Sequence, residues 1–163
     1  MDITYVGQVV RDRREAIGLT QEKLARLADL SRETVQRLEA GTIKDLSFQR
    51  VTRLLAVLGL DFDSLSLARR QRKHGLWMAA KSASVSYKGE LSPEALERAL
   101  ATGDVPEGFE AHIGHLLDET PVEVVVMAVE EAAQHESVPP SVVWKQVARL
   151  ASDFSYARRE LWA

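Results

Sequence analysis

Twenty-two residues, Thr20 to Gly41 (TQEKLARLADLSRETVQRLEAG), constrain this chain more than any other stretch. They read as two short helices joined by a tight turn. Leu24, Leu27 and Ala28 share a face of the first helix, and Val35 and Leu38 share a face of the second. Three- and four-residue spacings of this kind are the period of an amphipathic helix. Thr20 and Ser31 are N-cap residues, whose side-chain oxygens accept from first-turn N–H groups that lack an intrahelical partner. Gly41 ends the second helix. Asp29 occupies the turn, and Asp is among the few residues besides Gly that tolerate a left-handed backbone. With the inner face assigned, Arg32, Glu33, Gln36 and Arg37 are left on the outer face of the second helix.

Helical punctuation continues on both sides. Val6, Val9, Val10 and Ile17 fit one face of a preceding helix that Gly18 ends. Ser47 begins a fourth helix with Phe48, Val51, Leu54, Leu55 and Leu58 inward, closed by Gly59, and Asp61 to Leu67 adds a turn or two. The basic run Arg69–His74 and the small, polar stretch Lys81–Glu90 mark residues 69–90 as a connection, with Leu76, Trp77 and Met78 inside it packing on something. Beyond it, Ser92-Pro93 caps a helix to about Ala101. Pro106 opens another toward Asp118. Thr120-Pro121-Val122-Glu123 has the form of a capping box for a helix to about His135. Pro140 opens a last long helix through Leu150, extending toward Arg159. Val122 to Val129 is rich in β-branched residues, which favour strands, but its capping pattern and the lack of a pairing partner favour helix. The expected fold is all-α. A domain of four to five helices spans residues 1–68, a connection 69–90, and a second domain of about four helices 91–163.

The composition narrows the class of function. The chain has 163 residues, no cysteine and a net charge of −3, so neither a disulfide framework nor a thiolate metal site is available. No apolar run approaches the roughly 20 residues that span a bilayer. Met1 to Tyr5 lacks the basic flank and apolar core of a secretory signal. A cytoplasmic protein without membrane contact is the expectation. The net charge hides an asymmetry. Residues 1–75 hold 14 Lys and Arg against 10 Asp and Glu, a net of +4; residues 76–163 hold 7 against 14, a net of −7. Two bodies with different partners are implied.

The joint pattern of Gln21, Ala25, Leu30, Val35, Leu38, Glu39 and Gly41, followed by a fourth helix, resembles the helix-turn-helix of the Xre/Cro phage-repressor family. The plainer reading, a helical hairpin with a solvated charged face, accounts for any one of these residues but not for the set. The resemblance covers about residues 5–65. It implies that Ala25 sits where the two helices cross closest, and that Asp29 stands where the family usually has Gly. It further implies that the third helix of the domain enters the major groove of DNA. Arg32, Glu33 and Arg37 match positions that touch base edges, with Gln36 a further candidate. Arg is suited to guanine and Glu to the amino group of cytosine, although Glu33 could instead orient a neighbouring Arg. Gln21 matches a position that grips a phosphate, and Thr20, Lys44 and Ser47 lie where backbone contacts are expected. Arg14 and Glu39 match a partly buried salt bridge between the first and third helices, a role in the fold and not in DNA contact.

The second half carries no comparable pattern. His112, His115 and Glu119 share a predicted helix face, but no fourth metal ligand is apparent and packed or solvated histidines are far commoner. The pairs Asp118-Glu119 and Glu130-Glu131 read as exposed helix faces. Phe109, Trp144, Phe154, Tyr156 and Trp162 supply a small core or, for some, a protein interface. Neither a phosphate loop nor a catalytic constellation can be defended from spacing, so no enzyme, metal or cofactor is expected. Two functions from different classes remain. One is a transcriptional repressor that binds a palindromic operator in double-stranded DNA as a homodimer. The other is an antitoxin that neutralises a toxin through its second domain and represses its own operon through the first.

Overall fold

Thr20, Ser31 and Ser92 each find the N–H they cap, whereas the Thr120 hydroxyl is drawn to Ser82. The computed structural model describes residues 3–60 and 74–163, which are helical with no strand. The expected turn at Asp61–Leu67 lies outside the described residues. The chain divides into two compact units, Met1–Arg72 and Lys73–Ala163.

In the first unit, four helices are described: α1 (Ile3–Ala16), α2 (Gln21–Leu27), α3 (Arg32–Glu39) and α4 (Phe48–Leu58). Thr20 Oγ1 accepts from the Lys23 N–H at 3.1 Å and Ser31 Oγ from the Thr34 N–H at 3.1 Å. Ser47 occupies the N-cap of α4 without a side-chain capping bond. The turn between α2 and α3 is left-handed at Asp29, with φ of 56°. Val6, Val10, Leu24, Ala25, Ala28, Val35, Leu38, Leu54 and Leu58 are buried together with Ile17 and Leu19. α1 runs so close to the end of α3 that a Cβ on Gly7 would collide with the Leu38 carbonyl oxygen. Phe48 corrects the sequence expectation. It does not face inward but is 71% exposed, because the buried stripe of α4 runs out at its first turn; Val57, at 1%, is buried instead.

The second unit holds six described helices: α5 (Gly75–Ser84), α6 (Pro93–Thr102), α7 (Glu110–Glu119), α8 (Val122–His135), α9 (Pro140–Phe154) and α10 (Arg159–Trp162). α5 lies within the stretch expected to connect the domains. It packs mainly along α8 and buries Leu76, Ala79, Ala80 and Ala83. Gly75 permits the approach, since a Cβ there would lie 2.6 Å from the Met127 carbonyl carbon. Val122–Val129 is helical within α8. Ser92 caps α6 through the Ala95 N–H at 3.1 Å. α7 begins at Glu110, after a turn in which the Phe109 N–H reaches the Pro106 carbonyl at 3.1 Å. The capping box expected at Thr120 does not form. Thr120 is fully buried, its hydroxyl lies 2.8 Å from that of Ser82 on α5, and Pro121 takes the N-cap of α8.

α9 ends at Phe154 instead of continuing to Arg159, and the cause is Asp118. Its carboxylate accepts from Ser155 Oγ at 2.6 Å and from the N–H groups of Tyr156, Ala157 and Arg158 at 2.9, 3.1 and 3.0 Å. Asp118 is therefore a tie between α7 and the turn before α10, not a solvated face. Glu131 likewise accepts from the Leu76 N–H at 2.8 Å, at the start of α5. Trp144 and Trp162 are buried, and Trp162 donates its indole N–H to the Leu117 carbonyl at 3.0 Å. Tyr156 is 90% exposed.

Candidate nucleic-acid interface

α3 separates its two faces completely. Val35 and Leu38 are buried against the rest of the unit, while Arg32, Glu33, Gln36 and Arg37 are all exposed. The separation follows from eight residues with apolar positions only three apart. Arg37 Nη1 lies 3.9 Å from Glu33 Oε1, one turn away on the same face. This loose contact leaves both groups available to other partners. Thr20, Lys44 and Ser47 are exposed at the edges of the same unit, and Gln21 is half-buried. The loop that carries Lys44 is held to the end of α3 by the Arg37 carbonyl, which accepts from the Thr42 and Ile43 N–H groups at 2.9 and 3.2 Å.

Beneath this surface lies a polar network. Arg14 Nε donates to Glu39 Oε1 at 2.7 Å and Arg14 Nη2 donates to Glu39 Oε2 at 2.9 Å, a two-point pairing of α1 with the end of α3. The Arg14 side chain is 10% exposed and that of Glu39 3%. The hydrogen bond to Glu39 raises the Arg14 pKa above its ordinary value; burial opposes it, and the charges of Glu39 and Glu15 add to it. Arg14 Nη1 also reaches the Leu19 carbonyl at 2.8 Å, in the loop leading to α2. Gln21 Nε2 completes the network by donating to Glu39 Oε2 at 2.9 Å. Two further ties were not legible in the sequence. Arg13 is buried and its Nε donates to the Leu58 carbonyl at 3.0 Å, and Arg53 Nη1 bonds Asp29 Oδ2 at 2.8 Å across the turn. A run of Arg11, Arg13 and Arg14 looks uniformly basic until helical period separates the outward Arg11 from the inward pair.

Residues 10–65 match the family model described as helix-turn-helix. The N-terminal unit belongs to the Xre/Cro-like helix-turn-helix family. A helix-turn-helix domain of this family binds DNA, and the chain is a DNA-binding regulator of transcription. Neither a curated protein nor a solved structure matches the chain. Among the described residues, no helix is long and apolar enough to cross a membrane.

Outside the helix-turn-helix domain, His112 is buried, with Nε2 3.1 Å from the Gly89 carbonyl oxygen and its ring between those of Tyr87 and Phe109, centroids 4.7 and 4.8 Å away. His115 meets the Tyr87 ring edge-on at 5.8 Å. Among the described residues, no three His, Asp or Glu side chains form a group able to hold a metal ion.

Proposed function

We propose that the chain is a cytoplasmic repressor that binds a palindromic operator as a homodimer. Arg32, Glu33, Gln36 and Arg37 read base edges, and Thr20, Gln21, Lys44 and Ser47 hold the phosphate backbone. The observation that carries this reading is α3 itself, which exposes four polar side chains on one face and buries its apolar residues on the other. Arg donates two bonds to guanine O6 and N7, and each good bidentate pair is worth about 1–3 kcal/mol of base discrimination. A duplex enriched by the protein from a random-sequence pool, followed by footprinting, tests the reading. Two protected half-sites about one helical turn apart are expected. Arg32→Ala with Arg37→Ala removes the sequence preference and changes the stability of the unit by less than about 1 kcal/mol, since exposed substitutions cost little. An unchanged footprint from the double variant would rule out α3 as the reader.

A second reading is favoured by charge. Residues 76–163 carry a net −7, which suits a basic protein partner such as a toxin neutralised by this unit. Recovery of a stoichiometric basic protein on the intact chain, lost when only residues 1–72 are used, supports this antitoxin reading; its absence favours the repressor alone.

A further inference from the structure

The network beneath α3 does more than hold two helices together. We propose that Glu39 is a positioning residue for DNA binding, acting through the carboxamide of Gln21. The inference rests on the DNA-binding reading above and on Gln21 as a phosphate contact.

A carboxamide has two ends of nearly equal shape and opposite hydrogen-bonding character. A phosphate oxygen accepts hydrogen bonds and donates none, so the orientation of Gln21 decides whether it attracts or repels. Glu39 fixes that orientation. Its carboxylate accepts only, and Oε2 lies 2.9 Å from Gln21 Nε2. Reversing the carboxamide would set an amide oxygen against a carboxylate oxygen with no proton between them. Gln21 is therefore held with one N–H on Glu39 and its second N–H as the remaining donor.

The carboxylate is itself immobilised. Arg14 grips both its oxygens at 2.7 and 2.9 Å, and the Glu39 side chain is only 3% exposed. The same guanidinium offsets the negative charge that would otherwise stand beside an approaching phosphate. Arg14 also holds the Leu19 carbonyl at 2.8 Å, two residues before Gln21, so the backbone entering α2 and the side chain at its first position answer to one pair of charges. Preorganisation of this kind lowers the ordering cost at the moment of binding.

The test is a double-mutant cycle in binding, with the full chain and a duplex of about 30 base pairs enriched by the unmodified protein from a random pool, long enough for two half-sites one turn apart. The four proteins are the unmodified chain, Glu39→Gln, Gln21→Ala and the double variant. Removing the Glu39 charge alters long-range attraction to DNA equally in both Gln21 backgrounds, and this common effect cancels in the cycle. Glu39→Gln is expected to cost about three- to ten-fold more affinity when Gln21 is present than when it is Ala, the size of one neutral hydrogen bond. Equal effects in the two backgrounds would make Glu39 purely structural and overturn the proposal while leaving DNA binding intact. No enrichment of any duplex by the unmodified chain would overturn the function above and this inference with it. A second measurement does not depend on a variant that folds. In the unmodified protein, nuclear magnetic resonance of the Gln21 side-chain amide should show one proton held before and after the duplex is added, with only the other shifting. Two protons at the shifts of a free carboxamide, both exchanging readily with solvent in the absence of DNA, would overturn the proposal.

Discussion

Arg14 divides its guanidinium among Glu39, the Leu19 carbonyl and, at 3.2 Å, Glu15. Truncating either member of the central pair leaves a charge inside the first unit without its counterion, at a cost of about 3–5 kcal/mol for a buried pair. Arg14→Ala and Glu39→Ala are each expected to lower the urea midpoint of that unit strongly, with the double variant much less destabilised than the sum. A cycle without coupling would mean that the pair does not act as one. Asp29 offers a gentler test at the same scale. Its φ of 56° is a conformation that costs most side chains about 1–2 kcal/mol. Asp29→Ala is expected to destabilise by about 1 kcal/mol, because Ala cannot bond locally in that conformation and also loses Arg53. Asp29→Gly should be nearly neutral, since relief of strain offsets the lost ion pair. Equal midpoints for the Ala and Gly variants would show that backbone strain is absent.

Between elements, spacing and pinning decide more than propensity. Replacing a mid-helix Gly by Ala usually stabilises by about 0.5–1 kcal/mol, yet in α1 the added methyl would meet the Leu38 carbonyl. Gly7→Ala should therefore destabilise, by about 1–3 kcal/mol, through overpacking; a higher melting temperature would show that α1 and α3 can part without cost. In the second unit two ties respond to pH in opposite directions. Burial raises the Asp118 pKa, but the bonds from Ser155, Tyr156, Arg158 and Ala157 outweigh it and hold the carboxyl below its ordinary value. Its contribution is present above the unfolded pKa and lost as pH falls through the folded one. His135 is raised, first by its 3.0 Å bond to Glu97 on α6, against burial, then by the charges of Glu97, Glu131 and Glu136. That contribution is full below the unfolded pKa and lost as pH rises through the folded one. Both ties act together between about pH 4 and 6.5. Thermal melts between pH 6 and 8 should fall in midpoint for the unmodified chain and flatten for His135→Gln; equal slopes would remove His135 from the account. The same contrast explains what the sequence disclosed. Thr20, Ser31 and Ser92 were legible because a cap reaches three residues along its own chain. Thr120 was not, because the hydroxyl that takes its bond belongs to Ser82, 38 residues away. α5 was obscured by its Ala- and Ser-rich composition, whose weak hydropathy masks the small residues that let it lie against α8. The outer face of α3 emerged by subtracting its buried positions, whereas the bond from Gln21 to Glu39 spans 18 residues and leaves no local pattern.

For the whole molecule, charge assigns the work. The residues proposed to meet DNA all fall in the net-positive half, and the net-negative half contributes none. A fragment of residues 1–72 is expected to keep the base preference of the intact chain. If the second unit holds two copies together, the fragment should bind one half-site more weakly and with a shallower salt dependence, having fewer phosphates to neutralise. Sedimentation and operator titration at two salt concentrations check this; a fragment that dimerises and binds as tightly as the whole would move the second unit out of DNA recognition and favour the partner-binding reading. The two halves also differ as chromophores. Trp77, Trp144 and Trp162 all lie in the second unit and the first has no tryptophan. Two indoles are buried and Trp77 is 54% exposed, so indole fluorescence, excited at wavelengths where Tyr5 does not absorb, is a mixture of a shielded and a quenchable emission from that unit alone. A melt followed by indole emission alone consequently carries no chromophore of the DNA-binding domain. Set beside circular dichroism, which sees every helix, it separates the two unfolding events without a label, and a dichroism step with no optical counterpart from the indoles belongs to the helix-turn-helix.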